Sequence, residues 1–152
     1  MQTVKKEDLQ SMIGKTSEPS EWLAVTQDRV NQFADCTLDH QFIHIDPERA
    51  AQTPFGGPIA HGFLSLSLLS HFAEQYSFVI DGFQMGINYG FDKVRFLAPV
   101  RVGKRVRAAA KVMSIDETRP GQFRLKSEVT VEIEGEDKPA LIAEWLTVQI
   151  VA

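Results

Sequence analysis

The apolar positions of the chain follow two different spacings, one on each side of about residue 82. Before that point the longest apolar pattern covers residues 60–76, where apolar side chains lie nearly all round a helix. After it, the sequence predicts four unusually long strands: residues 84–96, 105–117, 122–134 and 140–151. A helix that is apolar nearly all round is buried, so we expect the strands to cover it.

Short turn sequences separate the last three predicted strands, at Arg119-Pro-Gly-Gln and at residues 134–139. Consecutive strands joined by short turns predict an antiparallel meander. One buried helix and one long, curved sheet together predict an α+β fold in which the sheet wraps around a central helix. No linker divides the chain, so residues 1–152 are expected to form a single domain.

Shorter elements are predicted before the central helix. Thr26 is suited to cap a helix that continues through Ala34, and Asp46 to cap a short helix that begins at Pro47. The segment 39–46 is expected to be irregular. Three apolar residues of the first long strand are expected to pack in the core: Met85, Phe91 and Phe96.

Composition excludes several classes of protein. With 43% apolar and 24% charged residues, the chain is typical of a globular protein. The net charge of −4 disfavours a nucleic-acid partner, and the single cysteine, Cys36, excludes an intrachain disulfide framework. No apolar run reaches the roughly 18 residues of a membrane span, and the N-terminus has no apolar signal-peptide core. We therefore expect a cytoplasmic protein without a membrane or nucleic-acid partner.

The densest polar cluster lies at residues 35–46 and contains Asp39 and His44. A histidine beside a carboxylate pairs a proton acceptor with a donor near neutral pH, which suits the hydration of a carbon–carbon double bond. Two alternatives stay open: Asp39 as a loop residue that bonds nearby backbone N–H groups, and His44 as a structural histidine. Metal binding is disfavoured, because His40 and His44 lack the glutamate of the H-E-x-x-H zinc motif.

A glycine-rich loop, residues 55–61, leads into the central helix at Gly62. The N–H groups at the start of a helix, together with the helix dipole, can stabilise a developing oxyanion. Because Gly62 has no Cβ, a substrate carbonyl can approach the backbone closely. Taken alone, the loop is more typical of a plain turn before a helix.

Together the two clusters resemble the MaoC-like (R)-specific enoyl-CoA hydratases. The resemblance rests on Asp39-x4-His44-x-Asp46-Pro47, on Pro58-Ile59-x-His61-Gly62, and on Ser67. From about Trp22 onward the chain is similar to the small single-domain branch of nodulation-protein-N-like hydratases. It departs from the commoner D-x-N-P-x-H pattern at Gln41 and Phe42, which leaves the Asp39 and His44 pair intact.

The resemblance implies a hotdog fold, a catalytic dyad of Asp39 and His44, an oxyanion donor at the Gly62 N–H, and a supporting role for Ser67 beside Asp39. Further substrate contacts are implied at five residues: Gln41, Phe55, Gly56, His61 and Asn88. The implied activity, in fatty acid metabolism, is reversible syn hydration of a trans-2-enoyl-CoA to an (R)-3-hydroxyacyl-CoA, without a metal or other cofactor. A homodimer is expected, because a single hotdog leaves a long sheet edge exposed.

Three other functions remain open from the sequence. The chain can be a dehydratase of acyl-carrier-protein thioesters or a non-catalytic acyl-CoA-binding hotdog protein. A hotdog thioesterase is disfavoured, because Glu74 is the only carboxylate on the predicted central helix and lies near its far end. The basic stretch 101–107 forms either a solvated turn or a contact for the phosphates of coenzyme A.

Overall fold

The four long strands that the sequence predicts form most of one antiparallel sheet. The computed structural model describes residues 1–152. In chain order its elements are β1 (Gln2–Val4), a 3-10 helix (Lys6–Met12), β2 (Leu23–Ala24), α1 (Gln27–Thr37), α2 (Phe42–Ile45), α3 (Pro47–Ala51), α4 (Gly62–Ser67), α5 (Leu69–Tyr76), β3 (Phe78–Ile80), β4 (Phe83–Phe96), β5 (Arg105–Arg119), β6 (Gln122–Ile133) and β7 (Leu141–Val151).

The main sheet has the strand order β2–β5–β6–β7–β4, and all its pairings are antiparallel. A separate pair of short parallel strands joins β1 to β3. The sheet curves around α4 and α5, whose buried residues pack against β5, β6 and β7. This arrangement confirms the expected hotdog fold.

The central helix is divided where the sequence predicts one continuous element. Leu68 separates α4 from α5 but keeps helical dihedral angles (φ −68°, ψ −13°). Hydrogen bonds from Leu68 N to Leu64 O and from Phe72 N to Leu68 O continue through the junction. The expectation of burial all round is wrong on one side, because the Phe63 side chain is 68% exposed. No helix in the structure is long and apolar enough to cross a membrane.

Strand β4 lies at the edge of the sheet, with β7 as its only neighbour. The expectation that Met85, Phe91 and Phe96 pack in the core is therefore wrong: they are 52%, 38% and 49% exposed. Ile87 and Tyr89, also on β4, are likewise exposed. Exposed apolar side chains along a free strand edge are a surface that native proteins normally cover.

The two helix N-caps that the sequence predicts before the central helix are present in the structure. The side chain of Thr26 accepts a hydrogen bond from Arg29 N, and that of Asp46 accepts one from Arg49 N. The segment 39–46, expected to be irregular, instead contains the single turn α2. That turn fixes the direction in which the polar side chains of the segment point.

Candidate active site

The two predicted clusters meet in the structure. Leu38 ends α1 in the left-handed conformation (φ 62°), and Asp39 follows it in the loop that leads into α2. His44 on α2 is 6% exposed, and His61, immediately before α4, is 3% exposed. Polar side-chain atoms of Asp39, His44 and His61 lie within 4.8 Å of one another. Residues from two separate segments of the chain therefore form one polar cluster beside the start of the central helix.

A main-chain carbonyl sets the protonation of His44. Its Nδ1 donates to the carbonyl oxygen of Ile59 across 2.7 Å. Because a carbonyl only accepts, the proton lies on Nδ1 and the lone pair lies on Nε2. Burial lowers the pKa of His44, the hydrogen bond to Ile59 opposes that shift, and the neighbouring His61 adds to it. His44 is therefore a neutral imidazole with a free basic nitrogen at neutral pH.

His61 contacts both members of the expected dyad, Asp39 by a hydrogen bond and His44 by ring stacking. Its Nε2 donates to the carbonyl oxygen of Asp39 across 3.0 Å and lies 4.0 Å from Asp39 Oδ2. Its ring stacks on His44 with an interplanar angle of 24°, and Phe33 packs beside it. Nδ1 of His61 is buried without a hydrogen-bond partner. The contacts of this side chain are with the protein, and its 3% exposure leaves little surface for a substrate.

The geometry of the cluster fits proton transfer better than metal binding. The ligand atoms of Asp39, His44 and His61 are close enough to share an ion, but stacked imidazoles suit the tetrahedral coordination of zinc poorly. Each ring also uses one nitrogen to donate to a carbonyl, Ile59 O for His44 and Asp39 O for His61. By contrast, a spacing within 4.8 Å lets one water molecule bridge Asp39 and His44.

Gly62 is the first residue of α4, and the preceding His61 makes no side-chain cap. The first N–H groups of a helix have no partner inside the helix, so they are available to a ligand. A Cβ added at Gly62 would lie 3.1 Å from two ring atoms of Phe96. Phe96 also makes an edge-to-face contact with Phe63 at 6.0 Å. Two half-exposed aromatic rings therefore flank the backbone at the start of the helix.

The other predicted site residues are more dispersed. The Gln41 N–H donates to Asp39 Oδ1 across 3.3 Å, so Gln41 contacts the carboxylate through its main chain. Ser67 is exposed, and its hydroxyl donates to Phe63 O across 2.7 Å with no hydrogen bond to Asp39. Phe55 and Gly56 lie in the turn after α3, where Gly56 has a φ of +72°. Asn88 lies on β4 opposite Thr147 of β7.

Within the basic stretch 101–107, the structure distinguishes one residue, Arg101, by its pairing next to the cluster. Arg101 pairs in an isolated antiparallel bridge with Ile59, whose carbonyl holds His44. The other basic residues of the stretch 101–107 form ion pairs with carboxylates of the facing strand and turn: Lys104 with Glu136, Arg105 with Glu134, and Arg107 with Glu132. Arg101 is therefore the basic residue of the stretch that has no carboxylate partner. Only the three-dimensional pairing distinguishes it from its neighbours.

Comparisons with known proteins agree on one group of relatives. The MaoC like domain family matches residues 8–134. The 3-hydroxyacyl-thioester dehydratase Z of Mycobacterium tuberculosis is 47% identical over 137 residues, which cover 90% of this chain and 90% of that protein. Nodulation protein N of Rhizobium meliloti is 46% identical over 151 residues, or 97% of this chain and 92% of that protein. The solved (R)-hydratase of A. caviae, described as involved in PHA biosynthesis, superposes with a TM-score of 0.71 at 27% identity, over 89% of this chain and 94% of that one.

Proposed function

The chain belongs to the MaoC-like domain family, and we propose that it catalyses the reversible syn hydration of a trans-2-enoyl-CoA to an (R)-3-hydroxyacyl-CoA. The observation that carries this proposal is the neutral His44, held by Ile59 O with its Nε2 free beside the carboxylate of Asp39. A dehydratase and a hydratase among the relatives support the same chemistry.

The proposed reaction uses one water molecule between the two side chains. The carboxylate of Asp39 accepts one hydrogen of the water and orients it, while Nε2 of His44 accepts the other. As the water oxygen bonds to C3 of the enoyl thioester, its proton passes to His44. The imidazolium then returns a proton to C2. Because one base serves both carbons, the hydroxyl and the hydrogen add to the same face of the double bond, and dehydration is the reverse sequence.

Negative charge develops on the thioester oxygen between these two proton transfers. We assign its stabilisation to the N–H of Gly62, where the first turn of α4 contributes an unpaired donor and a favourable dipole. Glycine suits this position because any side chain would meet the ring of Phe96. The aromatic pair of Phe63 and Phe96 supplies an apolar surface for the carbons next to the thioester.

Arg101 is our candidate contact for the phosphates of coenzyme A. It is exposed, has no carboxylate partner, and is bridged to Ile59 next to the catalytic cluster. Arginine binds phosphate through charge-assisted hydrogen bonds. The ion pairs of Arg105 and Arg107 with Glu134 and Glu132 disfavour those residues for the same role.

We also propose a homodimer formed across β4. The strand has one free edge, and it exposes apolar side chains on both faces of the sheet: Met85 and Ile87 opposite Ile150 and Val148, and Phe91, after the bulge at Tyr89, opposite Trp145. A second copy that pairs along this edge would cover these exposed side chains by the same surface on both subunits. Phe63, at 68% exposure on the central helix, adds to the apolar surface that the chain leaves uncovered.

A 3-hydroxyacyl-thioester dehydratase with another carrier, such as acyl carrier protein, is the second candidate. The name of the 47% identical relative favours it, since that protein is described by its thioester and not by coenzyme A. The proposed side-chain chemistry is identical, and only the group attached to sulfur differs.

The direct test is the loss of the conjugated-thioester absorbance of crotonyl-CoA, followed by chiral analysis of the 3-hydroxybutyryl product. We expect turnover by the wild-type protein, an (R) product, and little turnover by His44→Gln. A folded wild-type protein that leaves crotonyl-CoA and longer enoyl thioesters unchanged, on either carrier, would overturn the proposed function.

A further inference from the structure

The hydrophobic core is divided into two clusters. One contains 18 buried residues, including Phe72 and Trp145, and the other contains nine, including Phe78 and Leu125. A cavity of about 460 Å³ is lined by members of both clusters and opens to solvent beside Met1, Gln2 and residues 15–19. Protein interiors are normally close-packed, whereas a volume of this size is typical of ligand pockets. The division of the core therefore indicates a binding space.

The sheet presents polar side chains to this cavity where an apolar row would be expected. The inward-facing residues of β6 are apolar on both sides of Ser127: Phe123, Leu125, Val129, Val131 and Ile133. On β7, Thr147 and Gln149 interrupt the corresponding row. Ser127, Thr147 and Gln149 all line the cavity. Gln149 is engaged by the backbone of Ile80 and Phe78, which leaves Ser127 and Thr147 as the polar residues of the sheet that a ligand in the cavity can use. The side chains of Ser17, Gln75 and Ser77, which also line the cavity, already bond backbone groups of Ala110, Glu21 and Ala73.

Two further residues that line the cavity, one on α5 and one on β7, bury polar groups without partners. Oη of Tyr76 and Nε1 of Trp145 are both buried and have no hydrogen bond. Burial raises the pKa of Tyr76, so its hydroxyl stays protonated and able to donate. Unpaired buried donors are costly, and they are rare in a core built only for apolar packing.

We infer that this cavity binds the distal part of the acyl chain, and that this part carries an oxygen, as a hydroxyl, keto or ether group. The inference rests on the proposed function. The cavity-lining residue Ala73 follows Gly62 by eleven positions, which corresponds to roughly 16 Å along the central helix. A long acyl chain with its thioester at Gly62 spans that distance, whereas a crotonyl group is far too short. An oxygen in the chain would then meet Ser127 and Thr147.

The test compares two thioesters of equal length, trans-2-dodecenoyl-CoA and its analogue with a hydroxyl on the terminal carbon. We expect the wild-type protein to prefer the hydroxylated thioester by about threefold to tenfold in kcat/KM, the effect of one neutral hydrogen bond. The double variant Ser127→Ala/Thr147→Val removes both hydroxyls and should abolish or reverse the preference. Because the ratio comes from two substrates on one preparation, a general loss of folded protein cancels. Thr130→Val, on β6 outside the cavity, is the matched control and should keep the wild-type ratio.

Each outcome separates the inference from the proposed function. A wild-type protein that hydrates crotonyl-CoA but prefers the plain long chain would overturn the inference and leave the hydratase intact. Equal rates for the two long thioesters would also overturn it, since the polar wall would then hold only water. If crotonyl-CoA is not hydrated at all, the proposed function fails first.

Discussion

The imidazole ring of His61 lies face to face with that of His44, with 3.8 Å between the ring centroids. The same His61 donates from Nε2 to the carbonyl oxygen of Asp39. One buried side chain therefore contacts the proposed base and the main chain of its carboxylate partner. His61 therefore influences both the pKa of His44 and the position of Asp39.

The first prediction concerns the pH dependence of hydration. Burial lowers the pKa of His44, and the base must be neutral to accept a proton from water. We expect kcat/KM for crotonyl-CoA to rise with pH through a midpoint below about 6.5, the ordinary pKa of histidine, and then to level off. A midpoint clearly above that value would contradict a buried neutral base.

A second prediction separates the influence of His61 from that of burial. His61→Gln keeps an amide donor for Asp39 O but removes the imidazole that also lowers the pKa of His44. The midpoint of the pH profile should therefore move upward, by less than the shift due to burial, which is the larger cause. His61→Leu, which has no donor, should in addition lower kcat. If both variants keep the wild-type profile, His61 serves only packing.

The third prediction concerns the dyad. Asp39→Asn and His44→Gln should each lower kcat by about 10²–10⁴-fold, the usual loss on removal of an acid–base group. Asp35→Asn, a nearby exposed carboxylate that pairs with His40, is the matched control and should leave kcat near the wild-type value. Thermal unfolding of all three variants shows whether the protein remains folded. Near wild-type rates in a folded His44→Gln protein would refute the assignment.

The fourth prediction concerns Gly62. In Gly62→Ala the new Cβ meets Phe96 at 3.1 Å, so either the ring or the first turn of α4 has to move. A misplacement of about 1 Å can cost on the order of 10²-fold in rate, and we expect such a loss in kcat/KM. Phe96→Leu in the same background should recover part of it by relieving the contact. If Gly62→Ala lowers only the melting temperature, the glycine serves packing and not the oxyanion.

The fifth prediction concerns Arg101 and the carrier. Arg101→Gln should raise KM for crotonyl-CoA, but not for the crotonyl thioester of N-acetylcysteamine, which has no phosphate. Arg105→Gln removes a cation that is already paired with Glu134, and it serves as the control of equal charge change. An equal effect of the two substitutions on KM for crotonyl-CoA would argue against a specific phosphate contact at Arg101.

Much of the fold could be predicted because its signals are local. The four long strands are found within a few residues of their predicted bounds, and Thr26 and Asp46 cap the helices that they were expected to cap. The exposure of Met85 and Phe91 could not be predicted in this way, since it depends on β4 lying at the sheet edge. An apolar strand has the same sequence pattern whether its own chain or a second copy covers it.

The sequence motif predicted the family and the residues of the candidate site. It did not predict the individual contacts between those residues. The match over residues 8–134 confirms the resemblance to MaoC-like hydro-lyases. The role of Ile59 O could not be predicted from the sequence, and the basic stretch 101–107 did not indicate that Arg101 would be its unpaired cation. A main-chain acceptor has no side-chain signature, and the freedom of Arg101 depends on which of its neighbours face carboxylates.

The two histidines of the cluster are both anchored to carbonyl oxygens of the main chain, Ile59 O for His44 and Asp39 O for His61. Such acceptors exist whatever side chain occupies positions 59 and 39. Substitutions at Ile59 that preserve the path of its loop should therefore leave the tautomer of His44 unchanged. Side chains around the site can therefore change to accept different acyl groups, while the backbone continues to fix the orientation of His44.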